Sequence, residues 1–230
     1  MTNPKLTLLF DLDGTLVDTD PLHFRAFATL MTENDKPAFD LDFYKARIMG
    51  FGFVDIMTLL FPERSHDDHR ILAERKEQLF RDLVDIVEPT PGIFELLDWA
   101  KERGLRCGVV TNAPRQNAKL VLKALNLDTR FDTLVIGEEL AHAKPHPLPY
   151  LTGLERLDGA AGTAIAFEDS LSGVRAATAA GIRTMGMRTS LSEQALRDAG
   201  ASDVIENFRD ANLWSELYRQ IGERPVQTGE

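Results

Sequence analysis

Beyond residue 88, short apolar runs alternate with helix-like segments, and this alternation limits the fold more than any other feature of the chain. Helical spacing covers 92–103, 114–126, 147–157, 171–180, 192–199 and 210–221. Strand-like runs lie between them at 105–111, 132–136, 163–168, 182–187 and 203–205. Gly104 and Gly181 close two of the helices. Strands separated by helices cannot be joined as hairpins. They pair in parallel through crossovers, which place helices on both faces of one sheet. Leu6 to Phe10 adds a further apolar strand near the N-terminus.

Residues 20–87 behave differently. No convincing strand occurs there, and the apolar spacing predicts four helices at 21–33, 41–48, 53–61 and 67–86. Asp20 as N-cap and Pro21 at the first position open the first of them. The last carries Arg70, Glu74, Arg75, Lys76, Glu77, Arg81 and Asp82 and reads as a solvated face. Pro89-Thr90-Pro91-Gly92 marks the return to the sheet. The expected architecture is α/β. A Rossmann-like parallel-sheet core of residues 1–19 and 88–230 carries an α-helical cap domain, 20–87, inserted after its first strand. The cap is expected to stand over the strand ends and to move about hinges near 17–20 and 87–92. The polar end, Gly222 to Glu230, is expected to fray.

The first strand ends abruptly in two carboxylates, Asp11 and Asp13, followed by Gly14. If strand geometry persists to Asp13, both side chains face the same way. Taken alone, Asp-x-Asp-Gly is an ordinary polar turn. Two acids this close disfavour each other's ionisation. Such a pair is kept where a cation sits between the acids or where one of them holds a proton. Both conditions suit phosphoryl transfer, in which one carboxylate attacks, the other handles protons and a divalent metal offsets the charge.

The other strand ends are polar as well. One run ends in Val110-Thr111-Asn112, ahead of a helix opened near Pro114; hydroxyl and free N–H groups there suit phosphate oxygens. Lys144 precedes Pro145 and Pro147 and is the obvious local cation. Strand 163–168 ends in Glu168-Asp169-Ser170, an oxygen-rich set of the kind Mg²⁺ prefers. In open α/β sheets, ligands bind beyond the carboxyl ends of the strands. Each of these stretches alone also reads as a helix cap or an exposed loop.

Acidic residues outnumber basic ones 36 to 26, for a net charge of −10, and no extended basic patch is present. Nucleic acid is therefore not an expected partner, and an anionic substrate needs local cations at its site. No apolar run approaches the roughly 20 residues of a membrane helix, and no signal-peptide pattern opens the chain. The single cysteine, Cys107, lies in an apolar run and is expected to be a packed thiol. A cytoplasmic protein, monomer or homodimer, is expected.

The order of these stretches is more specific than any one of them. Asp11-Leu12-Asp13-Gly14-Thr15-Leu16-Val17-Asp18-Thr19 is followed by Thr111-Asn112, Lys144-Pro145 and Glu168-Asp169-Ser170-Leu171-Ser172-Gly173-Val174. That series resembles the four motifs of the haloacid dehalogenase-like superfamily, from Leu6 to about Gly186. The resemblance is to its capped phosphatases and phosphomutases, the phosphoglycolate phosphatase and β-phosphoglucomutase branch.

The resemblance implies a Mg²⁺-dependent hydrolase that cleaves a small phosphorylated metabolite, a sugar phosphate or a phosphoglycolate-like ester. It implies Asp11 as nucleophile and metal ligand. Asp13 would be the general acid/base and would lend its backbone carbonyl to the metal. Thr111, the backbone of Asn112, and Lys144 would bind phosphate. Asp169 would ligate the metal directly, and Glu168 directly or through water. His23, at the cap edge, is a further candidate substrate contact. Specificity is expected from His23, Arg47, Met49, Phe51 and Phe53.

Dehalogenases of the superfamily lack an acid at the position of Asp13, and phosphonoacetaldehyde hydrolases replace it with a small residue. A phosphomutase remains an alternative, because Asp18 to Phe27 resembles the mutase sequence. The mutase cap, however, carries Lys-Gly and then Arg where this chain has Met49-Gly50-Phe51-Gly52-Phe53. A non-catalytic phosphate-binding regulatory module is the second alternative.

Overall fold

The computed structural model describes residues 6–85 and 87–223. In chain order the main elements are β1 (Thr7–Phe10), α1 (Asp20–Glu33), α2 (Leu41–Arg47), α3 (Phe53–Leu60), α4 (His66–Arg81), α5 (Ile93–Glu102), β2 (Arg106–Thr111), α6 (Arg115–Ala124) and β3 (Thr133–Ile136). They continue as α7 (Leu148–Arg156), β4 (Ala164–Glu168), α8 (Leu171–Ala179), β5 (Arg183–Met187), α9 (Glu193–Ala199), β6 (Asp203–Ile205) and α10 (Ala211–Ile221).

The six strands form one parallel sheet in the order β3-β2-β1-β4-β5-β6. β1 lies between β2 and β4, with Leu8 opposite both Cys107 and Ile165. The strand order reverses between β1 and β4, so a crevice opens at their carboxyl ends. Asp11 and Asp169 follow those two ends directly.

Burial on both faces explains the uninterrupted apolar runs. On one face Leu8 and Phe10 of β1 and Ile165 and Phe167 of β4 pack with Leu96, Val121 and Leu217 from α5, α6 and α10. On the other, Leu9 and Ala166 pack with Tyr150, Leu154, Ala176 and Ala177 from α7 and α8. Phe10 and Phe167 are fully buried and stack at 4.8 Å, with Phe208 edge-on to both. Burying a side chain of this size contributes about 1.5–3 kcal/mol.

Helices α1–α4 form the insert, with α1 packed along α4 and α3 against α4. Ser65 and Asp68 build a reciprocal capping box at the start of α4. That helix ends at Arg81, short of the expected 86, and turns through 82–85, where Leu83 and Val84 pack inward. Residue 86 and residues 224–230 lie outside the described residues, and with them most of the end expected to fray. The two connections to the insert run side by side. Val17 bridges Pro89, and Thr90 donates to the carbonyls of Leu16 at 2.8 Å and Thr15 at 2.7 Å.

Two expectations for the insert are corrected. Thr19 is the N-cap of α1, and Asp20 is the first helical residue. The Asp20 carboxylate is held elsewhere, accepting hydrogen bonds from Tyr44 Oη (3.1 Å) and Ser190 Oγ (2.7 Å). Lys76 is not on the solvated face of α4 but is buried. It shares the inward stripe with His69, Leu79 and Phe80, and its ammonium lies over the Phe27 and Phe80 rings. Among the described residues, no helix is long and apolar enough to cross a membrane.

Cys107 on β2 is buried, and burial, reinforced by Asp132, pushes its thiol up to about 12. Iodoacetamide at pH 8 should therefore leave the native protein unlabelled and add one equivalent after denaturation. Intact-mass measurement would show this, and rapid labelling of the native chain would contradict the packing of β2.

Candidate active site

Four of the sequence-predicted residues meet at the ends of β1 and β4. Lys144 Nζ donates to Asp11 Oδ1 (2.5 Å), Glu168 Oε1 (2.6 Å) and the Val110 carbonyl (2.7 Å). Its three donors are thereby committed. One carboxylate oxygen from each of Asp11, Glu168 and Asp169 lies within 4.8 Å of the other two. The Asp13 carboxylate is not part of that trio.

The local sequence explains the arrangement. Gly14 turns the chain after β1 at φ +79°, and a Cβ there would lie 2.0 Å from Asp169 Oδ2, so only glycine fits. Leu16 N–H closes the turn on the Leu12 carbonyl at 2.9 Å. A Cβ at Gly173 would likewise collide with the Glu168 carboxylate. Glu168 is fully buried and fully partnered. Tyr150 Oη donates to Oε1 at 2.8 Å, and Ser170 N–H and Oγ approach Oε2 at 3.3 and 3.1 Å.

Asp13 sits apart with a different partner, Thr19 Oγ1 at 2.7 Å. Burial raises its carboxyl above the ordinary range, against that hydrogen bond. Asp11 and Asp169 are raised as well. Burial is the main cause in both, and the neighbouring acids add to it. Burial alone would lower Lys144, but Asp11 and Glu168 override it and hold the ammonium charged. One ammonium cannot keep this many buried carboxylates ionised, and Asp169 forms no ion pair among the described residues. A hard dication accepted by oxygen ligands fits that deficit.

Thr111 is buried, and its hydroxyl accepts from Ala113 N–H at 2.9 Å, which leaves its own proton available. Asn112 uses its side chain on the protein. Oδ1 accepts from Lys144 N–H and Nδ2 donates to the Lys144 carbonyl, each at 3.2 Å. It thus clamps the backbone that carries the lysine. His23 stacks on Phe80 at 4.1 Å, and its Nδ1 lies 2.7 Å from Lys76 Nζ. Burial and that ammonium hold the ring well below the usual histidine range. The neutral ring accepts at Nδ1 and so carries its proton on Nε2.

A cavity of about 390 Å³ spans these groups. Asp11, Asp13, Thr111, Asn112, Lys144 and Asp169 line its sheet side, and His23, Met49 and Phe51 line its insert side. Of the expected specificity residues, Phe53 lines an adjoining cavity and Arg47 an outer groove; neither lines the main one. Sequence reasoning missed Thr19, Tyr150 and Lys76. Lys76 was legible as the i+3 and i+4 neighbour of buried apolar positions, whereas the reach of Tyr150 to Glu168 needs the fold.

The family model for haloacid dehalogenase-like hydrolases matches residues 8–187. The chain belongs to this family, as its sheet order and the acids at the strand ends also argue. It is 34% identical over 217 residues to a phosphorylated carbohydrates phosphatase of Thermotoga maritima, covering 91% of this chain and 98% of that protein. It is 32% identical over 180 residues to a phosphoglycolate phosphatase of Xylella fastidiosa, covering 78% of each. Among solved structures, a CbbY variant from Rhodobacter sphaeroides in complex with xylulose-(1,5)bisphosphate superposes with a TM-score of 0.79 at 27% identity. It covers 90% of this chain and 96% of that one.

Tyr150→Phe would leave Glu168 short of one donor in a fully buried setting. The expected loss of stability is about 1–3 kcal/mol, read by urea denaturation. A change below about 0.3 kcal/mol would show that the phenol does not support the buried acid.

Proposed function

We propose that this chain is a Mg²⁺-dependent phosphatase of small phosphomonoesters, working through an aspartyl-phosphate on Asp11. The observation that carries this reading is the convergence of Asp11, Glu168 and Asp169 around Lys144 at the ends of β1 and β4. The similarity to proteins named phosphatases supports it.

In this reading Asp11, Glu168 and Asp169, with the backbone carbonyl of Asp13, hold the Mg²⁺. The bound ion would offset charge on the acids and on the phosphoryl oxygens. An Asp11 carboxylate oxygen attacks phosphorus, and the bond from phosphorus to the ester oxygen breaks. Asp13 gives its proton to the departing alkoxide. A water then attacks the aspartyl-phosphate, Asp13 takes its proton, and inorganic phosphate leaves with Asp11 restored. Thr111 and the N–H groups after β2 receive phosphate oxygens. Lys144, together with the bound ion, would favour the ionised form of Asp11, and it screens the approach of the anion. Helices α1–α4 act as a cap whose closure excludes bulk water while Asp13 is at work. A phosphomutase would have to hold a second phosphate on the insert side of the cavity, and among the described residues no lysine or arginine lines that side.

The two acids have different jobs, so their amides should fail differently. With p-nitrophenyl phosphate, whose leaving group needs no proton, Asp13→Asn should still phosphorylate itself and then stall for lack of a base. With an alkyl phosphate it should lose about 10²–10⁴-fold at the first step. Asp11→Asn should form no adduct with either. Intact mass after rapid quench separates the cases, and an adduct on Asp11→Asn would overturn the assignment.

Metal dependence is read separately. Activity should vanish in EDTA and return with added Mg²⁺. Asp169→Ala should weaken Mg²⁺ binding in calorimetry while leaving the melting temperature near wild type. Full turnover in metal-free protein would sink the metal assignment.

A further inference from the structure

We infer that the site selects esters carrying a single phosphate on a neutral, hydroxylated leaving group, and rejects esters whose leaving group bears a second anion. This rests on the phosphatase reading above and specifies its substrate class.

The charged side chains lining the cavity are Asp11, Asp13, Asp20, Asp169 and Lys144. Lys144 has its donors committed to Asp11, Glu168 and the Val110 carbonyl. Among the described residues lining the cavity four are carboxylates and Lys144 is the one basic side chain, and a bound Mg²⁺ would be held by the acids of the sheet side. The phosphate dianion is served by the ion and the β2 loop. A second anion held within the main cavity would find no further lysine or arginine among the described residues that line it and would approach Asp20; Arg47 stands outside it, in the outer groove beside Asp55.

The outer wall points to a neutral group. Met49, Phe51, Leu171 and Leu191 offer apolar faces to a carbon skeleton, and Phe51 is 52% exposed at the mouth. Ser172, Ser190 and the Asp20 carboxylate stand among them as partners for hydroxyl groups. His23 is neutral, for the reasons of burial and of its contact with Lys76. Lys76, the basic residue that lines the adjoining cavity, is already paired with Glu77 at 2.9 Å and with His23 Nδ1. That smaller cavity also holds Asp20 and Glu77, so it provides no net positive charge for a distal phosphate or carboxylate.

Matched pairs of esters test this with the full-length enzyme in Mg²⁺. 2-Hydroxyethyl phosphate and 2-phosphoglycolate differ only in an alcohol against a carboxylate. Glucitol 6-phosphate and 6-phosphogluconate repeat the comparison on a longer chain. In each pair the neutral ester should have kcat/KM at least about tenfold higher, which corresponds to about 1.4 kcal/mol. Met49→Lys places a cation on the outer wall and should raise kcat/KM for the acidic ester, narrowing the ratio. Phe51→Lys, at an exposed position, provides the same test should Met49→Lys fold poorly. A wild-type ratio within threefold of one, a preference for the acidic esters, or a ratio that neither lysine variant changes would overturn the inference. Failure to turn over any ester, p-nitrophenyl phosphate included, would instead remove the phosphatase reading beneath it.

Discussion

The contact on which the rest of this structure depends is the buried ammonium of Lys144 between Asp11 and Glu168. A buried ion pair is stable only when the geometry and the remaining hydrogen bonds offset the loss of water. Much of the local sequence serves that end. The Val110 carbonyl takes the third lysine donor, and the Asn112 amide fixes the lysine backbone from both sides. Tyr150 and Ser170 complete the shell around Glu168. The result is a floor on which Asp11 is held in place by Lys144, while Asp169 is left without an ion pair among the described residues. The floor is satisfied on the protein side and deficient in positive charge on the open side, as a site built for a cation and an anionic ligand has to be.

The same economy of contacts ties the insert to the sheet. Thr19, the N-cap of α1, reaches back to the Asp13 carboxylate. Ser190 Oγ donates to Asp20 at the start of the insert at 2.7 Å, next to Thr189, whose Oγ1 donates to the Gly14 carbonyl within the sheet unit. Across the crevice Glu77 and Arg81 of α4 bracket Asn117 of α6, at 2.5 and 3.1 Å. These polar links join units that also share one contiguous apolar cluster, which holds Leu22, Phe27 and Phe80 of the insert together with Phe10, Leu12 and Leu16.

The sheet was legible because its signal is periodic and local. Each strand is an apolar run ending in a polar residue, and the end residues Asp11, Thr111 and Glu168 follow from that pattern without tertiary information. The interruption by four helices was legible for the same reason. What could not be read locally was pairing at a distance. The alternation that gives β1 its two buried faces does not reveal that Tyr150, on a helix 18 residues earlier in the chain, turns its hydroxyl to Glu168. Asn112 was expected to serve phosphate through its backbone, and the separate use of its side chain on Lys144 was not legible. Asp20 looked like an N-cap by composition. Thr19 holds that position, and the Asp20 carboxylate accepts from Tyr44 and Ser190. Lys76 shows a different limit. Its spacing placed it on the apolar stripe of α4, but its charge argued for solvent, and a buried partner set of His23, Glu77 and two aromatic rings decided the matter.

Lys76 also bears on how the two sides of the cavity divide their work. A lysine aimed into the cavity would have made the insert a phosphate-binding surface. Here its charge is consumed within the insert, by Glu77 and by the Nδ1 lone pair of His23, and the histidine is left neutral with a proton on Nε2. Toward the main cavity the described residues of the insert thus present hydrogen-bonding and apolar groups and the Asp20 carboxylate but no lysine or arginine, while Lys144, Asp11, Asp13 and Asp169 stand together on the sheet. Charge interactions are long-ranged and insensitive to shape, whereas hydroxyl and apolar contacts are short-ranged and depend on fit. The short-ranged contacts come from both units, from His23, Met49 and Phe51 of the insert and from Leu171, Ser172, Ser190 and Leu191 of the sheet unit, so the fit of a ligand depends on how the two stand together, whereas the charge stands on the sheet side alone apart from Asp20.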